Sequence, residues 1–229
     1  MLRSKMTIIT FLVMCSMILT QSCSDTGSSN MTLTMRPTGS GLSKSTASND
    51  VMTIDTAKIL ITRVMLHSEA NDSLKVESNP VVVYLNLTGS AQTVATANVP
   101  QGSYNRVKFE IHLPAQNESV PDQEFRTGAN GNERFSIIVK GTFNGTAFVF
   151  KSRDVINQSV TIDPPLEVAD SIGTANATLT VDVNTWFTLG LGGLLDPTDT
   201  SASNVAMINN NIRASFRAFR DNDNDGNED

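Results

Sequence analysis

Residues 135–151 read FSIIVKGTFNGTAFVFK: two β-rich runs, Phe135–Phe143 and Thr146–Lys151, closed around Asn144-Gly145. Asn-Gly between such runs is the preferred two-residue type I′ turn, because both central residues must take positive φ. The stretch therefore predicts an antiparallel hairpin.

The neighbouring segments follow the same period of two. In Tyr104–Leu113, the residues Val107, Phe109, Ile111 and Leu113 alternate with Arg106, Lys108, Glu110 and His112. Such alternation marks a half-buried strand. Met31, Leu33 and Met35 alternate with Thr32, Thr34 and Arg36. Ile54–His67 is long and β-branched, with an irregularity expected around Arg63. Val81–Leu87, Gln92–Val99, Val155–Ile162 and Ala177–Leu189 complete the strands. Gly, Pro, Asn and Asp separate them and no helical pattern intervenes, which argues against a parallel α/β sheet. The expected fold is all-β: a two-sheet antiparallel sandwich, immunoglobulin- or transthyretin-like, with a short C-terminal helix.

The helix is expected from Ile208, Ile212, Phe216 and Phe219, which share one helical face. Ser201 or Ser203 would cap it. Asn209, Asn210 and Asn211 are poor helix formers, so a strand over Asn211–Phe219 is the competing reading.

The N-terminus sets the address. Arg3 and Lys5 precede the apolar stretch Met6–Leu19, followed by Thr20, Gln21, Ser22 and Cys23. That order is a signal peptide's, and the apolar stretch is shorter than the ~20 residues of a membrane span. No other stretch approaches that length, so no transmembrane helix is expected after processing. The segment resembles a bacterial lipobox, with Ser22 in the small position before a cysteine to be acylated. Thr20 occupies the usual Leu slot, a looseness found in Bacteroidetes-like bacteria. The alternative is cleavage near Ser22 that leaves a free thiol. Cys15 falls within the signal, so acylated Cys23 would leave no thiol chemistry in the mature protein. The expected division is signal peptide 1–22, tether 23–30, sandwich with helix 31–219, and an acidic Asp/Asn tail 220–229.

Lys and Arg number 17 against 23 Asp and Glu, a net charge of -6. Nucleic acid would be repelled and is excluded as a partner.

Asp221-Asn222-Asp223-Asn224-Asp225-Gly226 places oxygen ligands at positions one, three and five with Gly at six, as a calcium loop opens. Glu228, Asp229 or a neighbouring loop would have to complete the shell. The competing reading is a solvated acidic terminus. His67 and His112 are the only histidines and are expected on solvent-facing strand positions. The carboxylate pairs Asp163/Glu167 and Glu118/Asp122 lie in loops without the geometry a glycosidase needs. No Gly-x-Ser-x-Gly elbow or His-Glu-x-x-His helix is present, so no catalytic residue is assigned. Trp186-Phe187 reads as core rather than as a sugar-stacking pair, and Tyr104 as packing at a sheet corner. Asn-x-Ser/Thr triplets begin at Asn86, Asn117, Asn144, Asn157 and Asn176, and reflect β-favouring Thr and turn-favouring Asn. Stretches at Asp55, Asp72 and Asp170 resemble a short O-glycosylation acceptor.

Taken together, the lipobox, the strand beginning Asp55-Thr56-Ala57-Lys58, Pro100-Gln101-Gly102-Ser103-Tyr104 leading into Val107-Lys108-Phe109, and the closing Asp-x-Asp-x-Asp-Gly are similar to uncharacterised bacterial β-sandwich lipoproteins carrying a domain of unknown function. The resemblance implies a lipid-anchored envelope protein, with the outer membrane as its expected address. The anchor, the β pattern and the missing catalytic signatures point to a non-enzymatic binding or structural module for a protein or glycan. The alternative is a surface hydrolase acting on polysaccharide or peptide.

Overall fold

The computed structural model describes residues 28–44, 47–68, 74–75, 81–85, 90–169 and 173–229. The signal segment, Cys23, Asn86 and the stretches starting at Asp72 and Asp170 lie outside the described residues.

The described residues are mostly strand. β1 (Ser28–Thr38) is followed by the short β2 (Leu42–Lys44) and by β3 (Val51–His67), the longest strand. Next come β4 (Leu74–Lys75), β5 (Val81–Leu85), β6 (Gln92–Pro100) and β7 (Gly102–Ile111). A connection carrying the small hairpin β8 (Arg126–Thr127) and β9 (Glu133–Arg134) leads to β10 (Ile137–Phe143) and β11 (Thr146–Ser152). β12 (Ile156–Val168) and β13 (Thr174–Asp182) precede a second small hairpin, β14 (Thr188–Leu189) and β15 (Gly193–Leu194). The helix α1 (Ala202–Ala214) and β16 (Phe216–Arg220) close the fold.

The strands run in the order β11-β10-β3-β7-β12-β16-β13-β1-β6, with β2, β4 and β5 also on β3. The chain is an all-β, sandwich-like fold. Most pairings are antiparallel, but β1–β13 and β12–β16 are parallel, which corrects the all-antiparallel expectation. Parallel neighbours need a crossover connection. The β12–β16 pair has one because the chain leaves β12, forms β13, passes through α1, and re-enters between β13 and β12. The main core lies between the layers and includes Met31, Leu33 and Met35 from β1, Ile59 and Ile61 from β3, and Leu179 and Val181 from β13.

The Asn-Gly hairpin forms as expected. Asn144 (φ 52) and Gly145 (φ 79) both take positive φ. Asn144 also accepts from Val51 N–H and donates to Asp50, so the turn is tied to the start of β3. The irregularity at Arg63 is present too: its φ is 53, and the β3–β7 register shifts between Thr62 and Met65.

The C-terminal reading needs correction. α1 is capped by Ser201 and buries Ile208 and Ile212, but it ends at Ala214. Phe216 and Phe219 lie in β16, so the four apolar residues do not share one helical face. Ser215 stops the helix: its N–H and hydroxyl both go to Ile212 C=O. The asparagines that disfavour a helix earn their place by bonding outside it. Asn204 donates to Asp196 and Asp199 carbonyls, Asn209 to Asp154, and Asn211 to the carbonyls of Trp186 and Thr188.

Two boundaries also move. β1 begins at Ser28, so residues 28–30 are strand rather than tether. At the C-terminus Arg220 belongs to β16, and Asp221 and Gly226 are buried while the residues around them in 222–229 are exposed, so the segment is anchored at those points rather than solvated throughout. Among the described residues no helix is long and apolar enough to cross a membrane.

Candidate functional site

The Asp-rich loop is built onto the sheet by residues distant in sequence. Asp221 N–H donates to Asn176 C=O, extending the β13–β16 ladder by one step. Its buried carboxylate accepts from Thr178 Oγ1 (2.6 Å), Asp225 N–H (3.0 Å) and Gly226 N–H (3.0 Å). Because Thr178 spends its proton on Asp221, the 2.7 Å contact between the Thr34 and Thr178 hydroxyls has Thr34 as donor. Arg36 donates to Gly226 C=O at 2.8 Å. Gly226 suits this turn because its φ of 84 is a conformation that L side chains rarely adopt.

This frame brings Asp221, Asp223 and Asp225 together, with one oxygen from each within 4.8 Å of the others. Calcium takes oxygen ligands at ~2.3–2.6 Å, so oxygens this close can share one ion. A carboxylate offers about four acceptor positions, and Asp221 uses three of them internally. The exposed Asp223 and Asp225 retain more. Asn227 holds the Asp225 carboxyl below its ordinary range through its side-chain amide and then its backbone N–H. Neither Glu228 nor Asp229 joins the group. Glu228 lines a separate hollow beside β12 and β16, and Asp229 accepts from Asn222 N–H.

A second polar constellation sits on the outer face of the sheet, under the 113–136 connection. That connection covers a small core of its own: Leu60, Val82 and Ile138 from the sheet meet Val120, Phe125 and Phe135. Two polar clamps hold it. Lys58, buried in mid-β3, donates to Asp122 (2.7 Å) and Glu124 (2.9 Å), and Lys140 donates to Glu124 (2.7 Å). Tyr84 adds a hydrogen bond to Asp122 at 2.7 Å. Burial works to raise the Asp122 carboxyl, but the bonds from Lys58, Glu124 N–H and Tyr84 outweigh it and hold the carboxyl at about 2. Lys140 and Lys58 likewise hold Glu124 low.

The other clamp is His112. Its Nδ1 lies 3.1 Å from Glu110, and its Nε2 lies 2.8 Å from Glu118. His112 is therefore half-buried and paired, not solvent-facing. Burial opposes ionisation of Glu118, but His112 and Ala115 N–H keep its carboxyl below the ordinary value. The two histidines do not meet. His67 pairs in register with Arg106, whereas His112 N–H reaches Leu60 C=O.

The remaining candidates are structural. Trp186 and Phe187 are buried, with Trp186 Nε1 donating to Ser215 at 2.9 Å and Phe187 packing edge-on against Phe148 and Phe150. That removes them as a sugar-stacking pair. Tyr104 Oη donates to Pro100 C=O at 2.9 Å and pins the β6–β7 corner. Glu167 accepts from Ser103, while Asp163 lines the hollow near Glu228, so this carboxylate pair is used separately.

The clamp residues Lys58, Tyr84, Glu124 and Lys140 were missed in the sequence. A lysine set directly before the apolar run Ile59-Leu60-Ile61 was the available signal.

No protein-family model matches the chain, and no curated protein does. Among solved structures, MbnP from Methylosinus trichosporium is similar, with 8% identity and a TM-score of 0.48 over 85% of this chain and 99% of that one. A likeness that distant bears no weight for function.

Proposed function

We propose that the chain is a non-enzymatic cell-envelope lipoprotein, a β-sandwich binding or structural module held on the outer membrane through acylated Cys23. It would stand with the uncharacterised lipoproteins that its motifs resemble. The observation that carries this reading is the order of the first 23 residues: charge, apolar stretch, small residue, cysteine. The fold is consistent with it. Only residues 24–27 separate Cys23 from β1, so a sandwich with its own complete core would be carried close to the anchor.

Against a hydrolase stands the use of the acidic residues. Glu118, Asp122 and Glu124 are engaged in strapping a connection to the sheet. Asp163 and Glu167 serve separate contacts. Calcium in the Asp221–Gly226 loop is a second part of the proposal, favoured by the convergence of the three carboxylates.

Fractionation of cells tests the anchor. The wild-type chain is expected with membranes and the Cys23→Ala variant in the soluble envelope fraction. A variant that stays with membranes would overturn the proposal.

A further inference from the structure

β7 is flanked on both sides, by β3 and β12, so it has no free edge to which a peptide strand could be added. Recognition on this face has to go through side chains. Arg106, Lys108 and Glu110 point away from the buried Val107, Phe109 and Ile111. The register sets His67 beside Arg106 and Met65 beside Lys108 on one flank. On the other flank stand Thr161, Ser159 and Asn157, all exposed. The bulge at Arg63 turns a side chain that is 72% exposed to the same area. Between them lies a hollow of ≈ 240 Å³, lined by Arg63, Met65, Lys108, Glu110, Asn157 and Ser159 among others.

The charges on this face, in the hollow and at Arg106 beside it, are not balanced. Glu110 is shared by Arg63 at 3.6 Å and His112 at 3.1 Å. The side chains of Arg106 and Lys108 form no ion pair or hydrogen bond among the described residues. Two positions apart on a strand, they stand about 7 Å from one another on one face, where like charges repel. His67 Nδ1, next to Arg106, is buried without a hydrogen-bond partner. A chain of net charge -6 thus carries a strip of uncompensated positive charge beside a row of amide and hydroxyl groups.

The geometry points to a binding surface on β3, β7 and β12 for a carbohydrate chain bearing carboxylate or sulfate groups. Arg106 and Lys108 meet the anionic groups, and Asn157 and Ser159 exchange hydrogen bonds with the sugar hydroxyls. A nucleic acid would have to overcome the overall negative charge, and the lining of the hollow offers no aromatic ring exposed for base stacking. A bilayer would favour cations spread across one end of the sandwich, whereas these run along a strand. The inference deepens the binding-module half of the proposed function and rests on it. It does not depend on the anchor.

Calorimetric titration of the purified full chain tests it. The probes are galacturonate oligosaccharides and dextran sulfate, with neutral dextran and phosphatidylglycerol vesicles as comparison arms. Binding to an anionic saccharide is expected, weakening as salt rises, with none to neutral dextran. Arg106→Gln with Lys108→Gln should weaken it by roughly tenfold or more, with an unchanged thermal midpoint. Arg63→Gln gives a second, independent loss, and Lys44→Gln on β2 leaves binding intact. Absence of binding to both anionic saccharides, equal binding by the double variant, or capture by vesicles in place of saccharide would overturn the assignment. Cys23→Ala leaves this binding untouched, so failure of the anchor and failure of the ligand are separable.

Discussion

Thr178 Oγ1 donates to Asp221 Oδ2 at 2.6 Å, with both residues fully buried. This contact makes the Asp-rich loop a continuation of the sheet rather than a loose terminus. Thr178→Val keeps the shape and removes the donor to a buried carboxylate. The expected cost is about 1.5–3 kcal/mol, read as a lower urea midpoint with an unchanged slope. An unchanged midpoint would mean that the loop contributes nothing to the fold.

Calcium in that loop has a separate readout. Calcium at about ten times its dissociation constant should raise the thermal midpoint by about 3–6 °C relative to chelator. Asp223→Asn with Asp225→Asn should abolish the rise while leaving the chelated midpoint in place, because those carboxylates are exposed. Identical midpoints with and without calcium in the parent chain would rule out a structural ion.

Acid should loosen the strap over the outer face. The Asp122 carboxyl is lowered from 3.8 to about 2 in the folded chain. A depressed carboxylate contributes its stability in full above the unfolded value and loses it as pH falls through the folded one. The contribution is ~2 kcal/mol, and it should fade between pH 3.8 and about 2. Asp122→Asn should flatten that part of the stability profile, whereas equal slopes in parent and variant would contradict the assignment.

Gly141 is the least replaceable glycine of the hairpin. A Cβ there would sit 1.9 Å from Thr53 C=O, where the β10–β3 register shifts. The obstacle is backbone, so it cannot swing aside. Gly141→Ala should cost more than about 3 kcal/mol, visible as poor soluble yield or a thermal midpoint lowered by at least about 6–12 °C. Normal yield and melting would show that β3 and β10 part without penalty.

What could be read in advance was local. The hairpin at Asn144-Gly145 needs only turn chemistry, and the face pattern of Tyr104–Leu113 needs only a period of two; the hairpin stands in the structure, and the alternation holds as far as Ile111, where β7 ends before Leu113. The bulge at Arg63 was legible because the apolar spacing of β3 breaks there. Failures came where distant partners decide. Phe216 and Phe219 match a helical period, yet Ser215 ends α1 and the open position between β12 and β13 takes the segment as a strand. Asp221 looked solvated because nothing near it announces Thr178 or Arg36. Lys58 gave no hint of Asp122 and Glu124, which lie more than sixty residues further along. The site followed the same division: the three aspartates share a short motif and were found, while the unpaired cations of β7 acquire meaning only beside β3 and β12.

The anchor is the central claim, and the mass of the N-terminal peptide of the chain purified from its own membranes tests it most directly. The account predicts a peptide that begins at Cys23 and carries the added mass of a thioether-linked diacylglycerol. A peptide beginning elsewhere, or an unmodified Cys23, would contradict it.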